Sequence, residues 1–445
     1  MNHKDRSTNF SWDILLTSAA FWLWVGKEIF GFFIPSGIGI SKLFLIYIVF
    51  LLLVFWARKL SNNRMLIISK KIYGVTIIIW SSVFFFYICA SIYFSLFSDI
   101  GITAFSIFKL FSIFIGIVAA YFLTHNLMFF NVIESKTFLV IGLVVGFLGV
   151  WSMIGMIMDS AESYSGLRTL HIAHLSIQDF YVLLWLFSLI SMVSRTPRSH
   201  YIILFVLSSA VSLPIIFLMN SRMLPFTLGT TICFAGYALR SVLPNTMKTV
   251  QGFAILMLVA GVAFAGFKYM QESETRMTDV FMVGLLESFK EDDRAISFKE
   301  AFENFIENPV AGVGFGHFRF PGTNPNPVNM SSGTWPHNLF LELMSELGII
   351  GSICFILPLQ WIVIRVWQQA KNQAAGKSIF AFITLIYTLC TMQLSHNLSY
   401  FILWIGIYWS FMEISNPCNG KTVGTAMMTH KKTDIITSHE SRITV

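Results

Sequence analysis

Residues 339–366 read LFLELMSELGIIGSICFILPLQWIVIRV, and the 18 residues between Glu346 and Arg365 carry no charge. A helix that crosses the hydrocarbon of a bilayer needs about 20 predominantly apolar residues. The stretch reaches that length, so it reads as a membrane span. Glu342 and Glu346 stand near its start, four residues apart and therefore on one face of a helix. Carboxylates inside an apolar helix are costly, and they point to a polar cavity or to a partner on another helix.

Working outward, the same criterion finds eleven further runs bounded by charges, Pro or Asn: residues 14–34, 43–56, 75–97, 105–123, 138–158, 180–193, 201–219, 223–239, 252–267, 379–394 and 398–412. Of the 445 residues, 55% are hydrophobic and 12% charged, against about 25% charged in an ordinary soluble domain. That excludes a soluble globular enzyme. The expected fold is an all-α membrane protein of about 12 transmembrane helices. Residues 1–267 would hold nine spans, 268–336 a helical cap loop, 337–414 the last three spans and 415–445 a flexible polar tail. The first run contains Lys27 and Glu28 and is followed by no small-residue cleavage site, so it reads as an uncleaved span. Cys89, Cys233, Cys354 and Cys390 fall in apolar runs and Cys418 in the tail, a pattern that implies no disulfide framework.

Charge fixes the expected orientation. The connections 57–73, 194–200, 240–250 and 365–377 together hold 12 Lys and Arg and no Asp or Glu, whereas residues 268–336 carry ten acids against six bases. Basic loops accumulate on the cytoplasmic side, so both termini are expected inside and the long loop outside. The segments 159–179, 220–222 and 395–397 then lie outside as well. Loops beyond about 12–15 residues are usually functional or disordered. In this one Ile296, Phe298, Ala301, Phe302 and Phe305 recur at helical spacing before Asn308-Pro309, which predicts a helical cap over the membrane face. The net charge of +7 belongs to these loops and implies no nucleic-acid partner.

On the outer side four residues carry chemistry: Arg168, Arg222, Arg294 and His337. A basic residue in the short turn Asn220-Ser221-Arg222 runs against the positive-inside rule, and it suits either an anionic ligand or lipid phosphates. Arg294 follows Glu291-Asp292-Asp293, where a surface ion pair is the ordinary reading. An imidazole ordinarily titrates near neutral pH, so a histidine at 337 can accept a proton from a hydroxyl; a structural histidine at a membrane edge is the alternative. Asn338 can orient His337 or cap the helix that follows. Gly312-Val313-Gly314-Phe315-Gly316 offers amides that can cradle phosphate, or a tight turn that returns the cap to the membrane. It lacks the Lys and Ser/Thr of a nucleotide P-loop. His171 and His174 have no third ligand beside them, so no metal site is read there.

The run HNLFLELMSELGIIG from His337 to Gly351 resembles the signature of the O-antigen ligase and polysaccharide polymerase superfamily. Upstream, NPVAGVGFGHF from Asn308 to Phe318 is similar to the segment that precedes it in that family. Ser221-Arg222 and Arg294 match the family's turn and loop arginines. The resemblance is best over residues 219–352. It implies a GT-C type membrane glycosyltransferase of the bacterial inner membrane, working on the periplasmic side without metal or cofactor. The implied donor is a glycan on undecaprenyl diphosphate, and the acceptor a glycolipid, either a lipid-linked repeat unit or lipid A-core. Arg222 and Arg294 would stabilise the departing diphosphate, His337 would act as base, and Arg168, Asn338 and Glu342 would bind substrate. A surface-polysaccharide or O-antigen polymerase is the leading expectation and an O-antigen ligase its alternative. A lipid-linked glycan flippase or transporter is a third reading, but no matched halves or paired broken helices appear.

Overall fold

In a computed structural model of the chain, the described residues are 12–26, 72–95, 104–129, 131–160, 164–194, 198–218, 224–239, 293–318, 336, 338–372, 377–393, 398 and 400–415. Among them the α-helices are α1 (Trp12–Val25), α2 (Ile72–Ser95), α3 (Ala104–Phe129), α4 (Lys136–Ser160), α5 (Tyr164–Ser194) and α6 (Arg198–Leu218). They continue with α7 (Leu224–Leu239), α8 (Asp293–Glu307), α9 (Leu339–Asn372), α10 (Ser378–Met392) and α11 (Phe401–Ser415). No strand occurs among the described residues.

Ten of the twelve expected spans overlap these helices; the spans at 43–56 and 252–267, and residues 27–34 of the first, lie outside the described residues. Among the described residues, four segments are long and apolar enough to cross a membrane: Lys109–Met128, Ile177–Ser194, Ser199–Ile216 and Leu339–Lys371. Shorter apolar helices cover Trp12–Val25, Ile79–Tyr93, Lys136–Trp151, Ser378–Met392 and Phe401–Ser415. The outward faces are apolar. Ile79, Val83 and Phe86 on α2, Ile107, Phe111 and Phe114 on α3, and Val140, Val144, Phe147 and Trp151 on α4 recur every three or four residues and are exposed. Such contiguous apolar surface is rare on a soluble monomer, and lipid is the solvent it suits.

Helix α11 lies at the centre, packed against α3, α9 and α10, and every residue in it except Ile414 is buried. Aromatic side chains fill the space between α1, α4, α5 and α11. Phe21 and Trp22 contact Phe138, Phe180, Phe187 and Trp409 with ring centroids 5.1–6.4 Å apart. Buried indoles need an acceptor, and Trp22 Nε1 donates to the Phe138 carbonyl at 2.7 Å. Tyr181 does the same between α5 and α4, donating to the Gly146 carbonyl at 2.9 Å.

One expectation is extended and another corrected. Residues 159–179 were read as lying outside, ahead of a span; α5 begins at Tyr164 and runs 31 residues, so most of that segment is helical and leads into the apolar stretch Ile177–Ser194. After Gly166 the segment holds no Gly or Pro to stop it, and Leu167, Leu170 and Leu175 keep a helical spacing. Residues 339–366 were read as one span, but α9 is two helices meeting at Gly348, whose backbone (φ 62°, ψ −164°) is not helical. The part after the break, 349–372, spans about 36 Å at 1.5 Å per residue and suffices to cross the membrane alone.

Candidate active site at the start of α9

A helix broken at Gly348 loses the bonds that would have crossed the break. In an uninterrupted helix the amides of Ile349 and Ile350 would donate to the carbonyls of Ser345 and Glu346. Here all four groups are satisfied by the segment that follows α8. Ile349 and Ile350 donate to the carbonyls of Pro309 and Val310 (2.8 and 3.4 Å), and Val313 and Gly314 donate to those of Ser345 and Glu346 (2.8 and 3.1 Å). The exchange is reciprocal, two donors and two acceptors on each side, and it clasps the two motifs together. Approach is so close that a Cβ on Gly348 would stand 2.4 Å from the Val310 oxygen, and one on Gly312 2.4 Å from the Glu346 carbonyl carbon.

The clasp decides between the two readings of the glycine-rich run. Its remaining amides are also occupied: Gly312 donates to Asn308 O (2.9 Å), Phe315 to Ser91 Oγ (3.1 Å) and Gly316 to Glu346 Oε2 (2.9 Å). No amide from Gly312 to Gly316 is free to cradle a phosphate. The tight-turn reading stands.

Beneath the clasp lies a buried ionic cluster. Lys109 of α3 reaches Glu342 Oε1 at 2.5 Å and Glu346 Oε2 at 2.6 Å, with side chains 1%, 1% and 0% exposed. The Phe315 ring closes one side, its centroid 4.8 Å from Lys109 Nζ. Glu342 also accepts from the Leu398 amide (3.0 Å to Oε2), which ties α9 to the residue just before α11. Buried charges survive only when paired and hydrogen-bonded, and this cluster joins α3, α9, the glycine-rich segment and the approach to α11. The two glutamates called for a cavity or a helix partner, and Lys109 is that partner. Sequence reading missed it because a single lysine in FSIFKLFSIF disappears into an apolar run; the usable signal was an unpaired cation inside a span.

Asn338 resolves the same way. Its Oδ1 accepts from the Leu341 amide at 3.0 Å, the geometry of an N-cap, and its Nδ2 donates to the Gln393 carbonyl at 3.2 Å at the end of α10. Nearby, Asp179 of α5 accepts from Tyr387 Oη of α10 at 2.5 Å and from Tyr400 Oη beside α11. Neither tyrosine was singled out from sequence.

Of the expected site residues, Asn338 and Glu342 stand together in the first turn of α9 and in front of it. His337 immediately precedes Asn338 in the chain but lies outside the described residues, as does Arg222 between α6 and α7. Arg168 belongs to α5 and Arg294 to the first turn of α8, and their side chains are likewise outside the description. Helix α8 packs against α9, so the arm bearing Arg294 and the helix that follows His337 are neighbours through the clasp.

With this geometry in hand, residues 180–356 match the family model described as O-Antigen ligase. The matched range runs from the second half of α5 through α6, α7 and α8 to the clasp and the first part of α9. No curated protein matches the chain.

Proposed function

We propose that the chain, as a member of the O-antigen ligase and polysaccharide polymerase superfamily, transfers a glycan from undecaprenyl diphosphate to a sugar hydroxyl of an acceptor glycolipid. The observation that carries this reading is the coincidence of the matched range with the clasp. One continuous stretch, 180–356, holds Arg222, Arg294 and His337 and also the hydrogen bonds that fix the chain on either side of His337.

The reaction replaces the bond between the anomeric carbon and the diphosphate by a glycosidic bond. As the old bond lengthens, negative charge gathers on the diphosphate, and Arg222 and Arg294 stabilise it through forked hydrogen bonds. The acceptor hydroxyl attacks from the opposite face with inversion and passes its proton to His337. No metal takes part. Asn338 and Glu342 serve by holding the start of α9, the one through its cap and the other through Lys109 and Leu398. Arg168 adds a further contact to the anionic donor. Twelve spans of GT-C type, both termini cytoplasmic and the site on the periplasmic face of the inner membrane complete the reading.

Purified protein reconstituted with lipid-linked donor tests the roles. His337→Ala and Arg222→Ala should each abolish transfer while the protein accumulates normally, and Arg222→Lys should also be poor because lysine keeps the charge but loses the fork. Near-normal turnover by His337→Ala removes the base, and a strict need for divalent metal overturns the metal-free scheme. The acceptor is read from a deletion strain. A polymerase leaves single repeats on core or on the lipid carrier, whereas bare core with long polymer stranded on undecaprenyl diphosphate identifies a ligase. We favour the polymerase.

A further inference from the structure

Helix α8 divides its surface into three sectors rather than two. Ser297 and Ala301 are buried and Phe298 and Phe305 half-buried where the helix packs against α9. Phe302 and Ile306 are 51% and 59% exposed, and Val310 just beyond the helix is 58% exposed. On the far side stand the exposed charges Lys299, Glu303 and Glu307. At roughly 100° per residue, Phe298 and Phe305 lie about 40–60° to one side of Phe302, and Lys299 and Glu303 about 60–100° to the other. The apolar sector of the helix is therefore wider than the part that protein covers, and its open edge runs along Phe302, Ile306 and Val310.

That edge does not end at the helix. The Ile349 and Ile350 amides bond to the Pro309 and Val310 carbonyls, so Val310 is set beside Ile349 and Ile350, both exposed. From there Ile353 and Leu357 carry the exposed apolar stripe along the spanning part of α9. The surface on α8 is continuous with the surface that α9 presents to lipid.

We propose that α8 is an interfacial helix, with the Phe302, Ile306 and Val310 edge seated in the acyl-chain hydrocarbon of a lipid bilayer and Lys299, Glu303 and Glu307 in the headgroup layer. A helix with an apolar sector and a charged flank lies in the interface plane. Its own charges are four acids, Asp293, Glu300, Glu303 and Glu307, against Arg294 and Lys299. Attraction to anionic headgroups therefore contributes nothing, and the apolar edge alone holds it. On the proposed function, this seat brings Arg294 to the depth at which the diphosphate of a lipid-linked donor resides.

Power-saturation spin-label spectroscopy tests the seat independently of any activity. Phe302→Cys, Ile306→Cys, Val310→Cys, Lys299→Cys, Glu303→Cys and Glu307→Cys are each labelled with a nitroxide in a full-length chain lacking its other cysteines, in phosphatidylcholine vesicles and in vesicles containing phosphatidylglycerol. All six positions are exposed, so labels there leave the packing against α9 intact. The expected result is a sign change with helical period: oxygen-dominated relaxation at 302, 306 and 310, and nickel-chelate-dominated relaxation at 299, 303 and 307, equally in both vesicles. Nickel-dominated relaxation at all six overturns the seat in favour of a helix standing in water. Protection of 302, 306 and 310 from both reagents overturns it in favour of cover by protein, and a lipid pattern confined to anionic vesicles overturns the apolar origin of the seat. Failure of the transferase reading would leave all of these outcomes unchanged.

Discussion

Replacing Lys109 with methionine removes one ammonium and leaves a side chain of similar length against Phe315. Two carboxylates, Glu342 and Glu346, are then left in a site with no more than 1% exposure. Glu346 Oε1 already has no hydrogen-bond partner among the described residues, so none of them takes over from the lost cation. Removing one partner of a buried ion pair costs about 3–5 kcal/mol, most of it the burden of the charge left behind. Lys109→Met should fall in that range. The decisive comparison is the triple variant Lys109→Met, Glu342→Gln, Glu346→Gln. Glutamine keeps an acceptor for the Leu398 and Gly316 amides while abolishing both charges, so stability should recover to within about 1–2 kcal/mol of wild type, the scale of neutral in place of charged hydrogen bonds. Unfolding in mixed detergent micelles, titrated with dodecyl sulfate and followed by tryptophan fluorescence, yields these free energies. A single variant no less stable than the triple one would refute the argument, because the penalty would then not come from uncompensated charge.

Two further outcomes follow from the clasp and the cap. Gly348→Ala should cost about 3 kcal/mol or more in the same titration, since the backbone strain alone is worth about 1–3 kcal/mol and the new methyl would overlap the Val310 oxygen at 2.4 Å; a cost below about 1 kcal/mol would mean the break is not required there. Asn338→Ala should lose about 1 kcal/mol with the cap, while Asn338→Asp keeps the cap and loses the bond to Gln393; equal losses in the two would show that the Gln393 bond rather than the cap carries the effect.

Long apolar runs made most of the helices legible, because a segment that crosses a bilayer needs about 20 apolar residues. The break in α9 was not, since a glycine in GIIGSI reads as a tolerated helix residue until a second segment is seen to claim the bonds it frees. The same holds for the run Gly312 to Gly316. Free amides in the sequence were occupied amides in the fold. Glu342 and Glu346 announced a buried partner but not which one, as pairing across 237 positions in the chain leaves no periodic trace. On α8 the helical spacing was correct while Phe302 faced away from the protein, because spacing reports an apolar sector and not what covers it.

The clasp has a consequence for how such chains can vary. Phe318 and Pro336 bound a stretch whose two ends are registered by bonds outside it, from Pro309 to Gly314 on one arm and Ser345 to Ile350 on the other. A linker held at both ends is thermodynamically inexpensive to resize, each doubling of length costing only about 0.6 kcal/mol. By contrast, one residue added between Pro309 and Gly314, or between Ser345 and Ile350, would throw every bond of the exchange out of step. Length can thus change outside residues 309–314 and 345–350 without disturbing the exchange that joins the end of α8 to α9.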